Sequence, residues 1–434
     1  MATRDTLTLP LDAASADMLA ESGLEYRLVD GSGDGFPAFL QAVSRGFLDR
    51  EPSADAIEAA RVTLRERRLI GVFDRSATRP EVPVATVDSW PSELTVSAGR
   101  TTPLWAVSAV TVAPTHRRRG IARAMLTGEL RTAAAAGYAI AGLTVTEATI
   151  YGRWGFSPAA WASDVEVDTR RARWTGPTAP GRLDFVDRAA VPDLLHTLHE
   201  RVRASRPGSV PGWASRWRGF AGLLPGDDDG AKVRAVVYRD ADGVDRGVLV
   251  YTLHEKGEDY AAHELRVRAL VGDGDEAVAA LWRFAIEHDL VATVTASLQP
   301  PVPPVQWMVS DRRAVRATPI DHHWLRVIDV PGALAARVYS APLDVVVRVD
   351  DPLGFAAGEW AVRVDADGAA EVAAADGRAV DVELTVGALG SLLLGGVRAT
   401  ELAAAGIVAG TPERLSAVDR AFAPTMTPSL DIWY

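Results

Sequence analysis

The sequence predicts a mixed α/β chain, turning to α+β in its last quarter, built from three successive units. Three observations predict it. An apolar strand-like run, Leu104 to Val112, breaks at Pro114, crosses an arginine-rich loop and enters the helical run Ile121 to Ala136. A strand, loop, helix and strand follow one another again over residues 263–296. After Asp321 apolar and polar residues alternate, the two-residue period of an antiparallel sheet with one wet face.

Taken in order, residues 1–22 are polar and small and read as a loose N-terminal extension. The first unit, 23–165, opens with the strand Leu24 to Val29. Phe36 to Leu48 and Ala54 to Arg68 have helical spacing, and Leu69–Phe73, Val82–Asp88 and Leu104–Val112 read as strands. Gly137 stops the long helix, Tyr138 to Val145 is the next strand, and Glu147 to Phe156 forms a short helix closing on a glycine turn. The second unit, 166–318, has strands around the turn Asp240–Gly243, a strand from His263, a helix Glu276 to His288 and a strand Leu290 to Ala296. Gln299 to Pro304 is a stiff proline-rich connector. The third unit, 319–434, alternates over Leu343–Val349, Gly358–Val364 and Val380–Thr385 and ends in Pro428–Tyr434, apolar and aromatic, which predicts a buried tail.

Composition excludes several classes. At 434 residues the chain exceeds one ordinary core. It has no cysteine, which removes disulfides, thiolate metal sites and acyl-cysteine intermediates, so any acyl transfer is direct. The formal charge of −11 argues against nucleic acid and for cationic partners. No apolar stretch approaches the roughly 20 residues of a membrane span, and the start lacks a signal-peptide layout, so a cytoplasmic location is expected.

The segment Val107 to Arg123 carries the most chemistry. A strand running through a cationic loop into a helix start aims several backbone N–H groups one way and adds the positive end of the helix dipole. Gly120 omits a side chain, so a diphosphate can approach closely. In the second unit the loop at that place is Gly272-Asp-Gly-Asp275, whose carboxylates would repel a diphosphate.

The pattern Val112-x-Pro114-x-x-Arg117-x-x-Gly120-x-Ala122 resembles the acetyl-CoA signature of the GNAT N-acetyltransferases, and Tyr151-x-x-x-Gly155-Phe156 resembles the last helix of their motif region. Tandem GNAT folds, the N-terminal active and the central degenerate, followed by a sterol-carrier-protein-like α+β domain, resemble the enhanced intracellular survival (Eis-like) family. The resemblance implies acetyl-CoA as cosubstrate. Val110, Thr111 and Val112 would meet the pantetheine through strand backbone, Arg118, Arg119, Gly120, Ile121, Ala122 and Arg123 would wrap the diphosphate, and Thr146 and Glu147 would border the cofactor. Tyr151 would be the general acid, and the C-terminal carboxylate of Tyr434 the general base. An amine of pKa about 9 is roughly 1% neutral at pH 7, a shortfall of about 2.7 kcal/mol that such a base would offset. The family acetylates polyamines, notably aminoglycosides, with lysine side chains a further possibility, and assembles as hexamers. A non-enzymatic CoA- or lipid-binding scaffold is the alternative.

Other signals carry less. His196 and His199 share a helix face without a third ligand, so no metal site is expected. Gly226–Gly230 lacks the spacing of a calcium loop. His322-His323 stands at a unit boundary with no partner nearby in sequence.

Overall fold

A computed structural model of the chain describes residues 7–434. They pack into two compact units. The first holds the residues up to Ala160, His323–Thr425 and Trp433–Tyr434, and the second holds Trp161–His322 and Met426–Ile432. The strands are β1 (Leu24–Val29), β2 (Arg68–Asp74), β3 (Ala85–Ser97), β4 (Arg100–Val112), β5 (Ile140–Thr144), β6 (Ser157–Asp168), β7 (Arg182–Phe185), β8 (Arg234–Arg239), β9 (Asp245–His254), β10 (His263–Gly272), β11 (Val291–Gln299), β12 (Val315–Val327), β13 (Leu343–Asp350), β14 (Gly358–Val364), β15 (Ala370–Ala374), β16 (Val382–Thr385) and β17 (Val408–Gly410).

In the first unit β1 to β4 form an antiparallel ladder in chain order. Parallel strands need a crossover, and the helix Ile121–Ala135 supplies it between β4 and β5. Its buried face, with Ile121, Met125, Leu126 and Leu130, covers Trp105, Val107 and Leu143 of the sheet. Glu129, buried on that helix, accepts from the Ser89 hydroxyl and lies 3.6 Å from Arg68. His323–Val327 of β12 pairs antiparallel with β5 on its far side.

The extension expected over residues 1–22 is corrected in part. Ala13–Glu21 is a helix, N-capped by Asp12, whose carboxylate accepts from Ser15 N at 2.9 Å. Ser15 Oγ donates to Ala124 O at 2.8 Å, and Leu19 is buried in the core of the first unit. Tertiary packing orders a segment that position in the chain suggested was loose. Residues 1–6 of that expectation lie outside the described residues.

Of the third sequence unit, His323–Thr425 and Trp433–Tyr434 belong to the first compact unit. Its five-stranded sheet has the order β15-β14-β13-β16-β17, with β13 alternating buried and exposed positions as the sequence predicts. Arg326 of β12 forms a buried bidentate pair with Asp351, both contacts 2.7 Å, and its Nε donates to Trp154 O at 2.6 Å. Removing one partner of such a pair costs about 3–5 kcal/mol.

The second unit has the strand order β6-β11-β10-β9-β8-β7, with the helix Asp275–Ile286 crossing over between the parallel β10 and β11. Trp282 and Leu281 of that helix are buried against Leu249, Tyr251 and Leu265.

Candidate active site

β4 and β5 are in register only at Trp105↔Ala141 and Ala106↔Gly142. Beyond that point they part, leaving a wedge between their C-terminal ends. Where the parting begins, β4 is bulged: Ala109 and Val110 stand opposite Val87 alone, between the pairs Ser108↔Asp88 and Thr111↔Thr86. Ala109 has φ +50, and Thr86 Oγ1 donates to its carbonyl at 2.8 Å. The bulge takes β4 amides out of the ladder beside the wedge, where a thioester or pantetheine amide can use them. Val110, Thr111 and Val112 all fall in this stretch.

The arginine loop follows directly. Pro114–His116 is one 3₁₀ turn, Arg118 has φ +63, and Gly120, at φ +78, caps the helix Ile121–Ala135. Left-handed residues before a helix start turn backbone N–H groups into a common concavity that suits an anion. A Cβ at Gly120 would meet no protein atom within 4 Å, so the space above it is open. Arg117, Arg118 and Arg123 are exposed. Arg119 is engaged: its guanidinium donates to Ser22 O at 3.0 Å and lies 3.6 Å from Asp74. Asp74 is held well below the usual carboxylate range by the Ser76 hydroxyl and then by His116, 3.1 Å away. The loop is braced from one side and open on the other, which fits a CoA diphosphate.

Thr146 and Glu147 are exposed in the turn after β5. Glu147 precedes the single-turn helix Ala148–Tyr151, and the 3₁₀ turn Gly152–Trp154 ends at Gly155, φ +78. Any Cβ at Gly155 would come within 2.6 Å of Val386 and 2.7 Å of Arg326, so only glycine fits. Tyr151 lies half-buried, its ring edge-on to Phe156 at 6.4 Å. Burial, and secondarily the Glu147 charge, push its phenol up to about 12.

Tyr434 is buried in the same compact unit, 8% exposed. The Thr144 hydroxyl donates to its main-chain oxygen at 2.6 Å, and its N–H points back to that hydroxyl at 3.3 Å. Its phenol lies 2.6 Å from His323 Nε2 and is raised by burial. Trp90 meets the Tyr434 ring edge-on at 5.6 Å, and Arg67 stacks on Trp90 at 3.6 Å while pairing with the buried Asp88 at 3.3 Å. Gly142 leaves room for this packing, since a Cβ there would reach 2.8 Å from the Tyr434 hydroxyl. The sequence reading missed Thr144, His323, Trp90 and Gly142. A histidine pair interrupting an apolar strand was the available signal.

His196 and His199 do not act together, because His196 is exposed while His199 is buried beside Trp217. Among the described residues there is no cluster of three or more potential metal ligands.

A bulged wedge, an arginine loop capped by a left-handed glycine, and a tyrosine turn after the second wedge strand define a GNAT acetyltransferase. Residues 27–159 and 210–327 each match the acetyltransferase (GNAT) domain family, and residues 330–431 match the sterol carrier protein domain. Enzymes of this class use acetyl-CoA. The chain is 34% identical over 368 residues to an uncharacterised N-acetyltransferase of Streptomyces griseus, covering 82% of this chain and 87% of that protein. It is 32% identical over 324 residues to the N-acetyltransferase Eis of Mycobacterium tuberculosis, covering 72% and 76%. The crystal structure of Eis1 from Mycobacterium abscessus superposes with a TM-score of 0.80 at 29% identity, covering 94% of this chain and all of that one. The chain belongs to the Eis-like family of GNAT N-acetyltransferases. The second GNAT copy is acidic where the first is basic: Asp273 in its loop is taken up by Arg201 at 3.2 Å and Arg246 at 3.0 Å.

Proposed function

We propose that the enzyme transfers acetyl from acetyl-CoA directly to amines of cationic polyamine substrates, aminoglycosides and lysine side chains included. The Tyr434 carboxylate acts as general base and Tyr151 as general acid. The observation that carries the reading is the Thr144 contact, because it ties Tyr434 to the end of β5, the strand that leads into the Tyr151 turn. In a burial that strips water from a carboxylate, its basicity rises, and the same burial keeps the Tyr151 phenol protonated until a thiolate departs. The departing thiolate, ordinarily near 8.5, is raised in the same apolar wedge, which narrows the gap the phenol must cross. Val110, Thr111 and Val112 offer backbone to the pantetheine; Arg118, Gly120 through Arg123 and the backbone of Arg119 hold the diphosphate; Thr146 and Glu147 border it. The chain's acidity, −11 overall, favours polycationic acceptors. The family resemblance adds a hexameric assembly. Among the described residues no helix is long and apolar enough to cross a membrane.

The test is CoA release, with products weighed by mass spectrometry, across aminoglycosides, linear polyamines and lysine peptides. Multiply acetylated aminoglycosides or polyamines are expected. A chain lengthened by a few residues after Tyr434 should lose at least about 100-fold in turnover, whereas Tyr434→Ala, which keeps a terminal carboxylate, should lose far less. Transfer to no amine would overturn the substrate reading, and equal rates in lengthened and native chains would overturn the base.

A further inference from the structure

The second unit repeats the wedge of the first. β10 and β11 run in parallel register from His263↔Val291 to Val267↔Ala296, and directly after Val267 the extra residue Arg268 bulges β10 against β9. Beyond that bulge the parallel register stops, as it does between β4 and β5. Its loop carries Asp273 where the first unit carries arginines, and Arg201 and Arg246 are drawn onto that carboxylate.

The wedge is nevertheless filled. Val267–Val271 of β10 and Ser297–Gln299 of β11 line a residual cavity of about 30 Å³ together with Asp431 and Ile432. The segment leading there is held along its length. Ser429 N donates to Pro207 O at 3.0 Å, and Ser209 Oγ donates to Ser429 O at 3.4 Å. Arg206 lies 3.2 Å from the Asp431 carboxylate, His199 Nε2 lies 3.4 Å from it, and His322 Nε2 donates to Ile432 O at 2.9 Å. Leu430 and Ile432 are fully buried on either side of Asp431. Hydrogen bonds to main chain, apolar sockets for alternate residues and a paired charge between them are how a domain recognises an extended peptide.

We propose that the degenerate GNAT unit is a peptide-binding module whose ligand is this chain's own segment Ser429–Ile432, and that seating this segment positions Tyr434 for catalysis. The proposal rests on the reading of Tyr434 as the base. Only Trp433 separates the seated segment from Tyr434, so holding Ile432 shortens the free tail to a single residue, which spans at most about 3.6 Å. Fixing a residue's backbone costs about 1–2 kcal/mol, and the clamp meets that cost before substrate arrives. His199, Arg206 and His322 are then positioning residues. Asp431 keeps the buried His199 charged against the desolvation that opposes it.

Hydrogen exchange read by mass spectrometry tests this in the full-length chain. In the native protein the amides of 429–432 should exchange as slowly as those of β9. In Asp431→Asn, and independently in Arg206→Ala, they should exchange at least about 10-fold faster while β9 stays protected, and kcat should fall about 10-fold with the KM for acetyl-CoA within about twofold. Asp431→Glu should recover part of both. Native exchange at 429–432 in both variants overturns the clamp, whatever turnover does. Released amides with native turnover keep the peptide site but overturn Tyr434 as the base.

Discussion

A phenol serves as an acid catalyst only while it holds its proton, and Tyr151, pushed up to about 12, holds it through the range in which an amine nucleophile becomes neutral. Tyr151→Phe keeps the edge-on packing against Phe156 and removes only the hydroxyl. It should lower kcat roughly 100-fold and leave the acetyl-CoA Kd within about twofold, compared by single-turnover kinetics and calorimetry. Native kcat in that variant would remove Tyr151 from the chemistry. Such a residue is legible in sequence because its setting is local: the strand before it, the glycine turn after it and the short spacing all lie within one segment. His323 was not legible for the opposite reason. Its partner, the Tyr434 hydroxyl, is 111 residues away, and nothing in the composition of either segment links an imidazole in a strand to a phenol at the end of the chain.

Helices and strands with a clear period emerged where expected, while the departures have tertiary causes. The helix Ala13–Glu21 is good helix sequence behind an Asp12 cap, and contacts such as Ser15 to Ala124 order it. The bulge at Ala109 has no sequence mark, since alanine at φ +50 is a conformation the surrounding ladder imposes. The arginine loop was legible through its residues, though not the division of labour that turns the Arg119 side chain toward Ser22 and Asp74. Gly120 joins both kinds of information. Its positive φ makes any side chain cost about 1 kcal/mol, yet the space above it is open, so Gly120→Ala should fold and bind with a small loss. Gly120→Glu adds a carboxylate to the concavity and should raise the acetyl-CoA Kd at least about 100-fold. Calorimetry on the pair separates backbone strain from anion exclusion, and equal affinities in the two variants would count against a diphosphate at this loop.

The three consecutive units of the sequence pack as two compact units that exchange segments: β12 supplies His323–Val327 to the first, and the last residues serve the second before ending in the first. Interleaving depends on pairings of high sequence separation, which periodicity does not register. It concentrates two titrations of opposite sign on the tail segment. His199, facing Asp431 and Glu200 with Arg203 and Arg206 on those carboxylates, is raised to about 9: burial opposes the charge, but the Asp431 carboxylate outweighs it. Its stabilisation is complete below the unfolded value near 6.5 and is lost as pH rises toward 9. His322, near Asp431, Asp164 and Asp321, is lowered by burial to about 4. Because it folds neutral, its contribution is complete above about 6.5 and is lost as pH falls toward 4. The second unit should therefore be most stable near pH 6.5, with up to about 3 kcal/mol lost on each side. Denaturant melts at fixed temperature across pH 4–9 read this directly. Asp431→Asn should flatten the alkaline limb, because His199 then loses the charge that holds its proton, while His322→Gln should flatten the acid limb. A native curve that stays level from pH 6.5 to 9 would mean that the His199–Asp431 pair does not bind its proton more tightly in the folded chain.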